Sequence, residues 1–106
     1  MSMRRALVTG GSGQIGAAIS RQLAQEHLHV IVHAHRNRAA AEEVTDQIIK
    51  AGGSASVVCF DVSDAQATQR ALAQILEAGP IQVLVNNAGV YDDAPMAARS
   101  GNDRAA

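Results

Sequence analysis

A glycine-rich segment near the amino terminus has the residue types and spacing best suited to binding chemistry. The segment Thr9 to Gly16 reads TGGSGQIG, and it follows a short apolar run and precedes a helical pattern. Gly10, Gly13 and Gly16 carry no Cβ, so an anion can approach the backbone N–H groups closely. The amino terminus of the helix adds partial positive charge. A glycine turn without a ligand is the alternative, but the strand–turn–helix context favours a phosphate site.

Three further polar segments follow apolar runs later in the chain. His35 and Arg36 come after the second run, Phe60-Asp61-Val62 ends the third, and Asn86-Asn87-Ala88-Gly89 follows the fourth. Arginine can bind a phosphate through two parallel, charge-assisted hydrogen bonds. These segments therefore indicate a site assembled from the ends of several strands.

Alternating strand and helix patterns must position these segments. The predicted elements are strand 6–9, helix 14–26, strand 30–32, helix 38–51, strand 56–60, a helix that begins after Asp64, and strand 81–85. Short β-branched runs favour strands, and Asn37 and Asp64 are typical helix N-caps. Gly52-Gly53 and Gly79-Pro80 predict the ends of the second and third helices.

Apolar spacing predicts which side of each helix is buried, because residues three or four positions apart share a helix face. The predicted buried residues are Ile15, Ala18, Ile19 and Leu23 in the first helix, Val44, Ile48 and Ile49 in the second, and Leu72, Ile75 and Leu76 in the third. The strands are apolar on both faces. They therefore predict a sheet covered by helices on both sides.

The βαβαβαβ order predicts an α/β fold with a doubly wound parallel sheet. Each connection is long enough for a crossover between parallel strands, and right-handed crossovers give the strand order 3-2-1-4. Ligands of such sheets bind beyond the carboxyl ends of the strands, near the point where the strand order reverses. The segments Thr9 to Gly16 and Asn86 to Gly89 both emerge at that point.

Together, the TGGSGQIG and NNAG segments resemble the short-chain dehydrogenase/reductase family, and Gly89 to Met96 is similar to its 3-oxoacyl-[acyl-carrier-protein] reductases. The resemblance implies that residues 1–96 form a partial NAD(P)-binding Rossmann domain, truncated after the fourth strand. It also implies the residues that hold the cofactor: Gly10, Gly11, Ser12, Gly13, Ile15, Gly16, His35, Arg36, Asp61, Val62, Asn87, Ala88 and Gly89.

The end of the second strand predicts which dinucleotide binds. Family members that use NAD carry an Asp there, and this sequence has Ala34 followed by His35 and Arg36. An acidic group would repel a 2′-phosphate, whereas Arg36 can bind it. NADP(H) is therefore the predicted cofactor. The alternatives are that Arg36 only points into solvent, and that Gly13, which replaces a basic residue of many NADP-preferring relatives, weakens the preference.

The catalytic residues of the family are absent from this sequence. Family members reduce a carbonyl with a Ser, a Tyr and a Lys, the last two in a YxxxK motif. Here the only tyrosine, Tyr91, is followed four residues later by Pro95, and the only lysine is Lys50. We therefore expect no catalytic residue, and reduction of a 3-oxoacyl thioester only with a complete catalytic half. A non-catalytic dinucleotide-binding fragment and a decayed or truncated gene product are the open alternatives.

The carboxyl-terminal part of the chain carries two further expectations. The fourth strand should be an exposed sheet edge, and such an edge predicts association with another chain. Residues 97–106 contain no aliphatic residue larger than alanine, and their polar composition predicts a disordered tail. A truncated or shifted reading frame is one explanation of that tail.

Composition argues against several other classes of function. A formal net charge of -1 lacks the basic cluster that binds nucleic acids or anionic membranes. Cys59 is the only cysteine and no apolar stretch has signal-peptide or membrane-spanning length, so a cytoplasmic protein is expected. His29, His33 and His35 share one strand without a facing carboxylate or thiol, which makes a poor zinc site, and no metal is expected.

Overall fold

The computed structural model describes residues 3–87, and that range contains four strands and three helices. The strands are β1 (Arg5–Thr9), β2 (His29–Ala34), β3 (Ser54–Cys59) and β4 (Val83–Asn86), and the helices are α1 (Gln14–Gln25), α2 (Arg38–Lys50) and α3 (Ala65–Glu77). Every predicted element is present, with ends shifted by at most two residues. Ala88, Gly89 and the tail 97–106 lie outside the described residues.

The four strands form one parallel sheet in the order β3-β2-β1-β4. Leu7 at the centre of β1 pairs with Ile31 of β2 on one side and with Leu84 of β4 on the other. The predicted order 3-2-1-4 is therefore confirmed. The order reverses between β1 and β4, so a crevice opens at their carboxyl ends.

Two apolar clusters place helices on opposite faces of the sheet. On one face, Val8, Val30 and Val32 pack with the buried residues of α1 and α2. On the other face, Leu7 and Ile31 pack with Ile75 of α3. Neighbouring residues of a strand point to opposite faces, so alternate strand positions supply the two clusters.

The predicted buried face of α1 is only partly correct. Its buried residues are Gly16, Ala17, Ser20 and Ala24, whereas Ile15 is 60% exposed. Ala18 is also exposed, and Ile19 and Leu23 pack at the margin of the core. Small side chains on the inner face let the helix approach the strands closely, so the small residues of α1 are buried in place of the larger ones.

The predictions for α2 and α3 each include one residue that the structure places outside. Val44 and Ile48 of α2 and Ile75 of α3 are buried, and Leu72 packs against the same cluster as Ile75. Ile49 and Leu76, however, are both 52% exposed. Consecutive helical residues point about 100° apart, so the neighbour of a fully buried residue turns toward solvent.

Polar contacts fix the ends of the helices. The side chains of Asn37 and Asp64 accept hydrogen bonds from the backbone N–H groups of Ala40 and Ala67, both at 3.1 Å, so the two predicted N-caps are confirmed. At the other end of α3, the guanidinium of Arg5 donates to the carbonyl of Ile75 at 2.9 Å. Among residues 3–87, no helix combines the length and apolar character needed to cross a bilayer.

Candidate functional site

The turn between β1 and α1 is built tightly around Gly10 and Gly16. Gly10 has a φ of 64°, a left-handed conformation that glycine adopts without strain. A Cβ on Gly16 would overlap the carbonyl oxygen of Gly10 and lie 2.8 Å from the Cα of Gly11. The first turn of α1 therefore packs directly on the backbone of the preceding turn, and no other residue fits at position 16.

Gly11 packs tightly beneath the turn. A Cβ there would lie 3.0 Å from the carbonyl oxygen of Val8 and 3.1 Å from a methyl group of Val32. Gly11 is buried, whereas Ser12 is half-buried and Gly13 is exposed. The outer part of the turn is thus the part that a ligand can reach.

The amino terminus of α1 is open to an anion. Gly13 is the N-cap and supplies no side chain, and the first turn contains no acidic residue. Gln14 and Ile15 are exposed at this end of the helix. Because the first amides of a helix have no partner within it, they carry partial positive charge toward solvent and suit a phosphate group.

Residues after β4 hold the same turn from one side. The side-chain amide of Asn87 donates to the carbonyl oxygen of Gly10 at 3.2 Å, and its backbone N–H donates to the Thr9 hydroxyl at 2.9 Å. Asn87 is only 6% exposed. This asparagine, assigned to the cofactor by the family resemblance, therefore acts on the turn itself in the structure.

A residue that sequence reasoning did not assign to the site holds the turn from the other side. His33 of β2 is 1% exposed, and its Nδ1 accepts the backbone N–H of Gly10 at 3.0 Å. Its Nε2 lies 2.7 Å from the carbonyl oxygen of Phe60. Burial lowers the pKa of His33; the hydrogen bond with the Phe60 carbonyl opposes this effect, and the electrostatic interaction with the nearby His35 side chain adds to it. Its position in an apolar strand gave no signal of this contact.

The adenosine-side residues of the prediction meet at the ends of β2 and β3. Nε2 of His35 lies 3.6 Å from a carboxylate oxygen of Asp61, with both side chains close to half exposed. Hydrogen bonds from Ser63 lower the pKa of Asp61, and electrostatic interactions with His35 and Arg36 lower it further. Arg36 forms no ion pair within residues 3–87, so its guanidinium is available to a ligand.

The remaining predicted residues extend the same edge of the sheet. Val62 is 44% exposed just beyond β3. A cavity of about 410 Å³ opens between α1 and α2 beside the glycine turn and is lined in part by Ser12, Gly13 and Ala40. Ala88 and Gly89 lie outside the described residues. The predicted site residues that the structure describes thus lie at the carboxyl ends of the strands or in the first turn of α1 next to them, where ligands of parallel sheets bind.

The histidines of β2 lie apart from one another's contacts. No group of three or more His, Cys, Asp or Glu side chains with metal-binding geometry occurs within the described part of the chain. His29 forms hydrogen bonds with the hydroxyls of Ser54 and Ser56 instead, at 2.6 and 3.1 Å. The histidines of β2 therefore serve separate local contacts.

Comparison with known proteins identifies the family to which this chain belongs. The sequence profile of the short chain dehydrogenase family matches residues 4–104. A Bacillus subtilis protein, the short-chain dehydrogenase/reductase homolog YusS, is 40% identical over 92 residues, which make up 86% of this chain and 84% of YusS. This chain belongs to the short-chain dehydrogenase family.

Other members of the short-chain dehydrogenase family are longer. An acetoacetyl-CoA reductase from Allochromatium vinosum is 41% identical over 92 residues, which cover 85% of this chain and 37% of the enzyme. The solved structure of a metagenomic short-chain oxidoreductase in complex with NADP is similar with a TM-score of 0.77 and 36% identity, covering 82% of this chain and 39% of that protein. This chain therefore spans little more than a third of the length of these two relatives.

Proposed function

We propose that this chain is the NADP(H)-binding portion of a short-chain dehydrogenase/reductase. The observation that carries the proposal is the glycine turn, in which Gly10 and Gly16 pack backbone against backbone and the amino terminus of α1 has no side-chain cap. The turn lies beside the end of β2, and His35 and Arg36 directly follow that strand. The similar metagenomic oxidoreductase was solved with NADP, which supports the same choice of cofactor here.

The residues of the site fit the two charged ends of such a dinucleotide. The backbone amides in the first turn of α1 would hold the pyrophosphate, because helix amino termini favour anions. Arg36, with His35 beside it, would hold the 2′-phosphate, while Asp61 and Val62 would line the adenine side. When bound, NADPH supplies the hydride that family members transfer to a carbonyl carbon.

Isothermal titration calorimetry with 2′,5′-ADP and 5′-AMP tests the cofactor assignment. We expect the 106-residue chain to bind 2′,5′-ADP at least about tenfold more tightly, since charge-assisted hydrogen bonds contribute about 1.5–3 kcal/mol. Arg36→Ala should bind the two nucleotides equally. Arg70→Ala, which removes an exposed arginine from α3, is the matched control and should keep the preference. An Arg36→Ala variant with the wild-type preference contradicts the assignment.

The family resemblance suggests 3-oxoacyl thioesters as the substrate class of the complete enzyme. The named activity of the Allochromatium vinosum relative, acetoacetyl-CoA reductase, supports this class. Because the sequence lacks YxxxK, we expect the 106-residue chain alone to leave NADPH unoxidised in the presence of acetoacetyl-CoA. Turnover by the purified chain, measured by NADPH absorbance, would contradict this expectation.

We also propose that the protein is cytoplasmic.

A second candidate role is association through the edge of the sheet. Within the described residues, β4 pairs only with β1, so its other edge presents unpaired backbone groups. Leu84 of β4 is 64% exposed. An unpaired edge with an exposed apolar side chain favours pairing with another polypeptide, and we propose that this edge mediates such contacts.

A further inference from the structure

His33 is the side chain that joins the two halves of the candidate site. Its imidazole contacts Gly10 in the glycine turn through Nδ1 and Phe60 at the end of β3 through Nε2. Phe60 directly precedes Asp61, which lies on the adenine side of the proposed nucleotide. Among the hydrogen bonds of residues 3–87, those of His33 alone connect the glycine turn to the end of β3 through one side chain.

The two partners determine the chemical form of the imidazole. The backbone N–H of Gly10 can only donate and the carbonyl of Phe60 can only accept, so Nδ1 must be bare and Nε2 must carry a proton. The ring is therefore neutral and held as a single tautomer. Its near-complete burial and its contact with the Phe60 ring, at 4.4 Å between centroids, leave it little freedom to rotate.

The backbone of His33 adds a second connection to the turn. Its carbonyl oxygen accepts the N–H of Gly11 at 2.8 Å, next to the Gly10 contact made by its side chain. Both backbone polar groups of Gly10 are thereby bonded, since its carbonyl oxygen accepts hydrogen bonds from the Asn87 side chain and from the N–H of Gly13. These contacts hold Gly10 and Gly11, beneath the part of the turn that a ligand can reach.

We propose that His33 is a positioning residue of the dinucleotide site, which fixes the glycine turn relative to the adenine-side end of β3. The inference rests on the proposed function, because its consequence is cofactor affinity. A preorganised turn binds a phosphate without first having to be ordered, so a loss of the Gly10 contact weakens binding. His33 contacts no cofactor atom in this scheme and acts only through Gly10 and Phe60.

Two substitutions of similar polarity separate the contacts. In His33→Asn the side-chain oxygen can take the place of Nδ1 and accept from Gly10, but the contact with Phe60 is lost. In His33→Gln the longer amide can donate to Phe60, but Gly10 loses its acceptor. We expect His33→Gln to weaken NADP⁺ binding about tenfold, because the buried backbone N–H of Gly10 loses its hydrogen-bond acceptor. We expect the affinity of His33→Asn to stay within about threefold of the wild type, because that acceptor is retained.

The experiment measures NADP⁺ dissociation constants of the 106-residue wild type and both variants by calorimetry. Absence of saturable binding by the wild type overturns the proposed function and this inference with it. Wild-type binding together with equal affinities in the two variants overturns the inference alone. Nitrogen NMR of the wild-type imidazole, which needs neither a variant nor a ligand, is expected to show protonation at Nε2. Protonation at Nδ1 would also overturn the inference.

Discussion

The side-chain amide of Asn87 lies 3.2 Å from the carbonyl oxygen of Gly10, although the two residues are 77 positions apart in the chain. This contact joins the end of β4 to the turn after β1, across the point where the strand order reverses. Asn87→Asp should place a carboxylate against that carbonyl and lower the free energy of unfolding by about 2–3 kcal/mol, whereas Asn87→Ala should cost about 1 kcal/mol. Urea unfolding of both variants measures the difference. Equal stability of the two would show that this contact contributes little.

Gly16→Ala tests the backbone packing of the glycine turn. The added Cβ would meet the carbonyl oxygen of Gly10, which is main chain and has no rotamer to change. We expect a loss of about 3 kcal/mol in unfolding free energy and loss of 2′,5′-ADP binding. Gly52→Ala is the control: its Cβ meets open space but its φ is 91°, so it should cost about 1 kcal/mol and leave nucleotide binding intact. Normal binding by Gly16→Ala would refute the packing argument.

Stability should fall in mild acid because of two histidines of β2. Burial lowers the pKa of His29 and of His33, and the nearby Arg5 lowers that of His29 further. The unfolded chain then binds protons more tightly than the folded chain. The stability that the two neutral histidines contribute is therefore fully present above the ordinary histidine pKa of about 6.5, and it decreases as the pH falls below that value. Urea midpoints at neutral pH and at about pH 5 measure this decrease. A double variant, His29→Gln with His33→Asn, should show a smaller decrease of the urea midpoint between these two pH values.

Asp61 gives a separate and more acidic transition. Hydrogen bonds from Ser63 lower the pKa of Asp61, so its contribution is present at neutral pH and is lost as the pH falls below the ordinary carboxyl range, through the lowered folded-state pKa. Asp61→Asn should reduce this acid-side loss without changing the decrease between about pH 7 and pH 5. Melting curves across both windows distinguish the two groups. If Asp61→Asn loses as much stability at acid pH as the wild type, Asp61 is not the group responsible for that loss.

The exposed edge of the sheet predicts self-association of the 106-residue chain. Leu84→Lys places a charge on β4, and charged residues on an edge disfavour pairing with another chain. Sedimentation velocity should show a smaller concentration-dependent fraction of oligomer in this variant than in the wild type. Gln66→Lys adds the same charge on the exposed surface of α3 and should leave association unchanged. A wild-type chain that stays monomeric at all concentrations contradicts the prediction.

The order of elements and the position of the glycine turn follow from the sequence alone. Strands and helices alternate regularly along the chain, and N-cap residues such as Asn37 and Asp64 mark where helices begin. Local interactions therefore determine the limits of these elements. The strand order 3-2-1-4 follows because few chain paths satisfy parallel crossovers. The glycine turn and the polar segments after β2, β3 and β4 could be found for the same reason, since their places relative to the strands are fixed.

The tertiary structure decided the contacts that depend on packing between distant elements. Apolar spacing could not tell that α1 buries its small residues and exposes Ile15, because the depth of helix packing depends on the partner strands. It also gave no sign that His33 bonds Gly10 and Phe60, since a buried histidine in an apolar strand looks the same whatever its partners. Sequence specifies each element through local forces, whereas the hydrogen bonds that unite the site arise only when elements far apart in the chain meet.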